Sequence, residues 1–169
     1  MNYKQIIDSV LNKCNIDSGD EQPEKVVKDA INEGYREIAR ESKLIANSTV
    51  TINNKVAVLP DDMLEILRLD PPISDNDQVV GNNILTDKTG SFNLVYSYMP
   101  DDLIKDKDEP EVPLKYHSLL ITYGCYKYYQ FKKKSDIARD FYNSFIEDLR
   151  NLSTNNLGSS GIKVVYSPW

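Results

Sequence analysis

The sequence predicts a mainly-α fold: a four-helix bundle with a small β-rich insert between its second and third helices and an extended C-terminal arm. Three observations lead there. Stretches before residue 45 and after residue 113 carry apolar residues at helical spacing. Between them, residues 48–99 switch to short β-branched runs punctuated by Asn, Gly and Pro. Beyond residue 152 the chain turns to Ser, Asn and Gly before a short apolar tip. The predicted organisation is one domain over 1–152, with helices in 1–44 and 114–152, the insert at 48–99 and an acidic loop at 100–113. A flexible linker and arm occupy 153–169.

Each element has its own signal. Tyr3 to Cys14 reads as a short helix, with Ile6, Ile7, Val10, Leu11 and Cys14 on one face. NIDSGDEQPEK breaks it; Ser18 and Asp20 are candidate caps, and Pro23 suits the first turn of a second helix. That helix runs to about Ser42 on a stripe of Val27, Ile31, Gly34, Tyr35 and Ile38. STVTI and KVAVL form a hairpin about Asn53-Asn54. Pro60-Asp61-Asp62-Met63 is a tight turn, EILRLD (65–70) an alternating third strand, and Pro71-Pro72 its end. Residues 78–85 hold a small hairpin around Gly81-Asn82, and FNLVYSYM (92–99) is the clearest strand. The loop PDDLIKDKDEPEVP carries six acids against two lysines, and Pro110 and Pro113 keep it extended. A helix over about 114–133 follows. Ser135 or Asp136 caps the last helix, which reaches about Leu152 on Ile137, Phe141, Phe145 and Leu149.

The third helix is unusual in being apolar on two sides. On a helical wheel, Tyr116, Leu119, Leu120, Tyr123 and Tyr126 share one arc, while Ile121, Cys125, Tyr128 and Tyr129 lie opposite. A bundle helix needs one apolar stripe. The second arc is covered either by another helix of the same chain or by a neighbouring molecule. Gly124 gives room for a close backbone approach, or is a tolerated weak spot. Lys132, Lys133 and Lys134 suit the helix's C-terminal dipole. The tip GIKVVYSPW is either a strand docked on its own domain, a loose end, or an arm that adds a strand or inserts Tyr166 and Trp169 into a partner.

Composition excludes several classes. Formal net charge is −6 over 169 residues, so broad attraction to nucleic acid or an anionic membrane is not expected. No stretch has the roughly 18 apolar residues of a membrane span, and the first ten residues lack a secretory pattern. Cys14 and Cys125 have no metal spacing and read as buried thiols in a reducing compartment. Eleven tyrosines against four phenylalanines favour half-wet contact surfaces. His117, the single histidine, reads as a packing or capping residue. There is no phosphate loop and no nucleophile elbow. The acids of residues 101–109 lack the order of a calcium loop, and Asp61 and Asp62 read as caps. No catalytic or metal-binding residue is predicted and no cofactor is called for.

Three segments, taken in order, resemble the head-to-tail adaptor (connector) proteins of tailed bacteriophages. They are GYREIARES at the close of the second helix, VAVLPDDMLEILRLD with its Leu59-Pro60-x-Asp62 pattern between strands, and LVYSYMPDDL followed by DEPEVPLKYHSLLITYGCYKYY. The likeness spans Tyr3 to Leu152 and rests mostly on Leu59-Pro60-x-Asp62 and on Pro113 to Tyr129. It implies a structural, non-enzymatic virion protein, made in the bacterial host cytoplasm and placed at the head–tail junction. It also implies a homo-oligomeric ring, usually of about twelve copies, docked under the portal protein. Such a ring extends the DNA channel, passes DNA without sequence-specific binding, and gives a tail or nozzle protein its platform. No membrane partner is implied. On this resemblance Ile121, Cys125, Tyr128 and Tyr129 form the subunit interface, and Ile162, Val164, Val165, Tyr166 and Trp169 form a portal-binding arm. Two alternatives stay open: a tail-completion or neck protein further from the capsid, and a small metal-dependent hydrolase using Asp101, Asp106 and Asp108.

Overall fold

The computed structural model describes residues 1–16 and 21–156. It divides into a helical unit, built from Met1–Ser42 and the chain from Asp102 onward, and a β unit spanning Lys43–Asp101.

In the helical unit, α1 (Tyr3–Lys13) opens on a capping box. The Asn2 side chain accepts from the Gln5 amide, and the Gln5 side chain accepts from the Asn2 amide, both at 3.0 Å, satisfying two donors that a helix start leaves free. The helix stops where Asn15, at φ 51°, takes the left-handed position and lets the Ile16 amide reach the Leu11 carbonyl. α2 (Glu21–Ser42) has Pro23 near its start and buries the predicted stripe of Val27, Ile31, Gly34, Tyr35 and Ile38. The candidate caps Ser18 and Asp20 lie outside the described residues. A single 3-10 turn (Leu114–Tyr116) leads into α3 (His117–Phe131), and α4 (Ser135–Asn156) follows. The Lys134 carbonyl accepts the first helical bond of α4, from the Ala138 amide, so Ser135 is already helical. α4 buries Ala138, Phe145 and Leu149, whereas Ile137 is 41% exposed and leaves the predicted stripe.

α3 packs against α1, α2 and α4. It is the hub of this unit, with the other helices arranged around it. Helices of one chain therefore flank it on several sides, which accounts for a sequence that is apolar nearly all round.

The β unit holds β1 (Ile45–Asn53), β2 (Val56–Val58), β3 (Met63–Asp70), β4 (Gln78–Val80), β5 (Asn83–Leu85) and β6 (Ser91–Tyr98). They form one six-stranded antiparallel sheet in the order β3-β6-β1-β2-β5-β4. Its inner face has a core of its own: Val50, Ala57, Leu59, Ile84, Phe92, Leu94 and Tyr96. This corrects the predicted fold class. The chain is not a mainly-α four-helix bundle with a minor insert but an α+β protein with a full sheet. The sequence understates the sheet because its longest ladder joins β1 to β6, from Ile45↔Ser97 to Thr51↔Ser91, across four intervening strands. Local periodicity carries no trace of that pairing.

Two smaller differences are also physical. The first hairpin turns at Asn54-Lys55, both at positive φ (50° and 67°), one residue later than predicted; a two-residue turn of the type I′ kind needs that geometry at both central positions. In β3, register shifts set off Leu64 and Leu67 from the ladder to β6. These β-bulges replace the predicted alternation by a spacing of three. Met63, Ile66 and Leu69 pack on the core, while Leu64 and Leu67 are 44% and 39% exposed. The predicted turn at Pro60–Met63 is present, closed by the Met63 amide on the Pro60 carbonyl at 3.2 Å.

Candidate functional site

α3 carries the residues that the sequence singles out, and its surroundings decide which of them can meet a partner. On one side it receives α2. Gly34 lets α2 lie directly on the Tyr123 ring, since a Cβ there would stand 2.8 Å from Tyr123 Cγ. The Tyr123 hydroxyl donates to Glu33 Oε1 at 2.8 Å, and Lys127 Nζ stands 2.7 Å from the same oxygen. Burial pushes the Glu33 carboxyl up, but the hydrogen bonds from Lys127 and Tyr123 outweigh it, and the group titrates below its ordinary value. Burial, with the Glu33 carboxylate beside it, holds the Tyr123 phenol far above its usual range. The ring meets Phe145 of α4 edge-on at 4.9 Å.

On the opposite arc the cover is α1. A Cβ on Gly124 would stand 2.8 Å from Val10 Cγ2, so the close approach that Gly124 permits is taken by α1. Beside it, the buried thiols of Cys14 and Cys125 are unoxidised and hydrogen-bonded to each other. That bond and burial push the Cys14 thiol well up. Of the four predicted interface residues, Cys125 is fully buried and Tyr128 is 7% exposed, while Ile121 and Tyr129 are half-buried. Tyr129 stacks on Phe141 of α4, with ring centroids 5.6 Å apart and planes 11° from parallel. The predicted arm residues Ile162, Val164, Val165, Tyr166 and Trp169 lie outside the described residues.

Near the start of α3, His117 is buried. Its Nε2–H donates to the Val112 carbonyl at 3.0 Å, which leaves Nδ1 to accept from the Met1 nitrogen at 3.1 Å. Burial holds the imidazole below its ordinary value, and the bond to Val112 pulls the other way without offsetting it.

The acidic loop is tied down rather than slack. Asn32 of α2 brackets Leu103 by accepting from its amide at 2.9 Å and donating to its carbonyl at 3.0 Å. The carbonyls of Asp106 and Asp108 accept from the amides of Lys4 and Tyr3 at 3.1 and 2.7 Å, and the Tyr35 hydroxyl accepts from the Glu111 amide at 2.8 Å. The Asp108 carboxylate accepts from the amides of Lys105 and Ile104, which lowers its pKa and explains the residue as a turn former. Asp102 pairs with Arg36. Among the described residues, no group of three or more His, Cys, Asp or Glu side chains is arranged to hold a metal ion.

At the far end of α3, two of its three lysines lie over aromatic rings. Lys132 Nζ lies 5.8 Å from the Tyr128 and Phe131 centroids, and Lys134 Nζ lies 5.9 Å from that of Tyr129. Lys13 of α1 joins them, 5.3 Å over Phe141. Neither this fourth lysine nor the Glu33–Lys127 pair was legible in the sequence, because the partners are remote in the chain and only helix packing brings them together.

No described helix is long and apolar enough to cross a membrane. Compared with known families, residues 1–87 match the model of a family described as SU10 adaptor protein. The match covers α1, α2 and β1–β5. No curated protein matches the chain.

Proposed function

This chain belongs to the SU10 adaptor protein family, a family of phage head-to-tail adaptors, and from that premise we propose that it is a ring-forming, non-enzymatic virion protein docked under the portal. The ring extends the DNA channel and gives the tail its assembly platform. The observation that carries this is the family match over α1, α2 and most of the sheet. The physical character of the chain supports it. A net charge of −6 keeps the protein from gripping the phosphates that pass through a conduit. Copies related by rotation must each bury two different patches, one toward each neighbour.

In this ring the neighbour meets Ile121 and Tyr129, the half-buried members of the second arc, with Cys125 beneath, covered by α1. The arm residues Ile162, Val164, Val165, Tyr166 and Trp169 clasp the portal, with Tyr166 and Trp169 as its anchors. Light scattering of the full chain, alone and with portal rings, tests the proposal. The expected result is a ring of about twelve copies that forms on, or co-migrates with, the portal. A strict monomer that ignores portal rings removes it. Pull-down against portal and against isolated tail components separates a portal-docked adaptor from a neck protein further out.

A further inference from the structure

We infer that the acidic loop of one copy seats on the lysine-rich end of α3 in the next copy, and that this contact closes the ring; the inference rests on the ring proposed above. The two surfaces match in chemistry. The loop exposes Ile104 (80%) beside Asp106 and Glu109. The other end exposes Phe131 (41%) beside Lys132, Lys133 and Lys134. None of these five charged side chains forms an ion pair with another described residue. The loop is net acidic around its apolar anchor, its six acids outnumbering the exposed Lys105 and Lys107, and the α3 end carries three lysines around its own, the arrangement of an interface core and its rim. A shallow groove of about 320 Å³ beside Phe131, with Val26 and Ala30 as its other apolar walls and Asp29, Glu33 and Lys127 at its polar side, offers a seat for Ile104.

The patches cannot satisfy each other within one molecule. The loop bonds to the first turn of α1, through Tyr3 and Lys4. The lysines cluster at its other end, where Lys13 covers Phe141, Phe141 stacks on Tyr129, and Lys134 covers Tyr129. α1 has 11 residues, which puts about 16 Å between them. Complementary patches at opposite ends of one unit are the requirement for a heterologous contact that repeats from copy to copy.

Both patches are also pre-shaped, which lowers the ordering cost of association. Backbone and side-chain bonds from α1 and α2 hold the loop. The lysine end is fixed by a Schellman turn: the Lys134 amide reaches the Tyr129 carbonyl at 2.9 Å, and the Lys133 amide reaches that of Gln130 at 3.0 Å, with Lys133 at φ 56°. That position favours glycine. A lysine there gives up local stability and adds a third positive charge to the patch.

The test is a charge exchange in the full chain, with ring assembly followed by light scattering in the presence of portal rings. Lys132→Glu with Lys134→Glu, and separately Asp106→Lys with Glu109→Lys, should each weaken assembly by at least about tenfold. The four substitutions combined in one chain should restore assembly to within about threefold of the original. Lys133→Gly supplies an arm that cannot fail by misfolding. It relieves the left-handed strain, so the variant should melt higher yet assemble less well. If the original ring forms and neither reversal changes its assembly, the contact is overturned and the ring stands. If no ring forms under any condition, both fall. A two-fold dimer that obeys the same rescue keeps the pairing and overturns the ring. If the lysine reversal instead costs only retention of duplex DNA, with the loop reversal silent, the lysines face nucleic acid and the inference is overturned.

Discussion

Gly124→Ala discriminates between an α3 covered from within and an α3 left open for a neighbour. Two effects oppose. In a helix interior, replacing Gly by Ala is worth about 0.8–1.0 kcal/mol of stability. Against it, the new methyl would stand 2.8 Å from Val10 Cγ2 and 3.3 Å from Cγ1. Both branches of Val10 crowd the position, so turning χ1 exchanges one clash for another, and a helical valine has one strongly preferred rotamer in any case. Nor can α1 retreat freely, because its first turn is bonded to the acidic loop at Tyr3 and Lys4. Overpacking of this kind costs about 1–3 kcal/mol. The clash therefore wins, and the expected net loss is on the order of 1 kcal/mol. Urea unfolding followed by far-ultraviolet circular dichroism, at concentrations where the chain is monomeric, measures it. Val10→Ala combined with Gly124→Ala should be more stable than Val10→Ala alone, because the new methyl then fills vacated space and the helix gains its propensity. A gain near 1 kcal/mol from Gly124→Ala alone would refute the packing of α1 on this arc.

Three further predictions follow from the helical unit. The single His117 resonance should titrate below pH 6.5 in the folded chain, since burial depresses its pKa. The unfolded state then binds more protons under acid conditions, so this contribution is complete above about pH 6.5 and is lost as pH falls through the folded value; a native midpoint at or above 6.5 contradicts the burial. Glu33→Gln should cost about 0.5–1 kcal/mol, kept small because its side chain is 44% exposed. Its depressed carboxyl stabilises the fold above the ordinary glutamate range and loses that effect as pH drops below it, so the variant should flatten the acid limb of a stability–pH curve; an unchanged limb would remove the Lys127–Glu33–Tyr123 cluster as its source. Cys14 and Cys125, both buried, should resist an aromatic disulfide reagent in the native protein and react fully in denaturant. Rapid native labelling of either would show α1 to be detached.

The sequence by itself determined the helices, most strands and the family. Those features are written locally: the stripe from Val27 to Ile38, Pro23 near the α2 start, and the β-branched runs about a turn near Asn54 each report on neighbours within a few residues. Leu59-Pro60-x-Asp62 falls within the family match for the same reason, as one turn between two strands. The partners of those elements were decided by tertiary structure. Ile121, Cys125, Tyr128 and Tyr129 read the same whether their cover is α1 or another molecule, because a hydrophobic arc records only that it must leave water. The tertiary fold places Val10 against Gly124 and Cys14 against Cys125, and so covers most of that arc from within. The sheet was understated for a related reason. β1 and β6 pair across four other strands, and a ladder between remote segments depends on closing the chain between them, which local patterns do not encode.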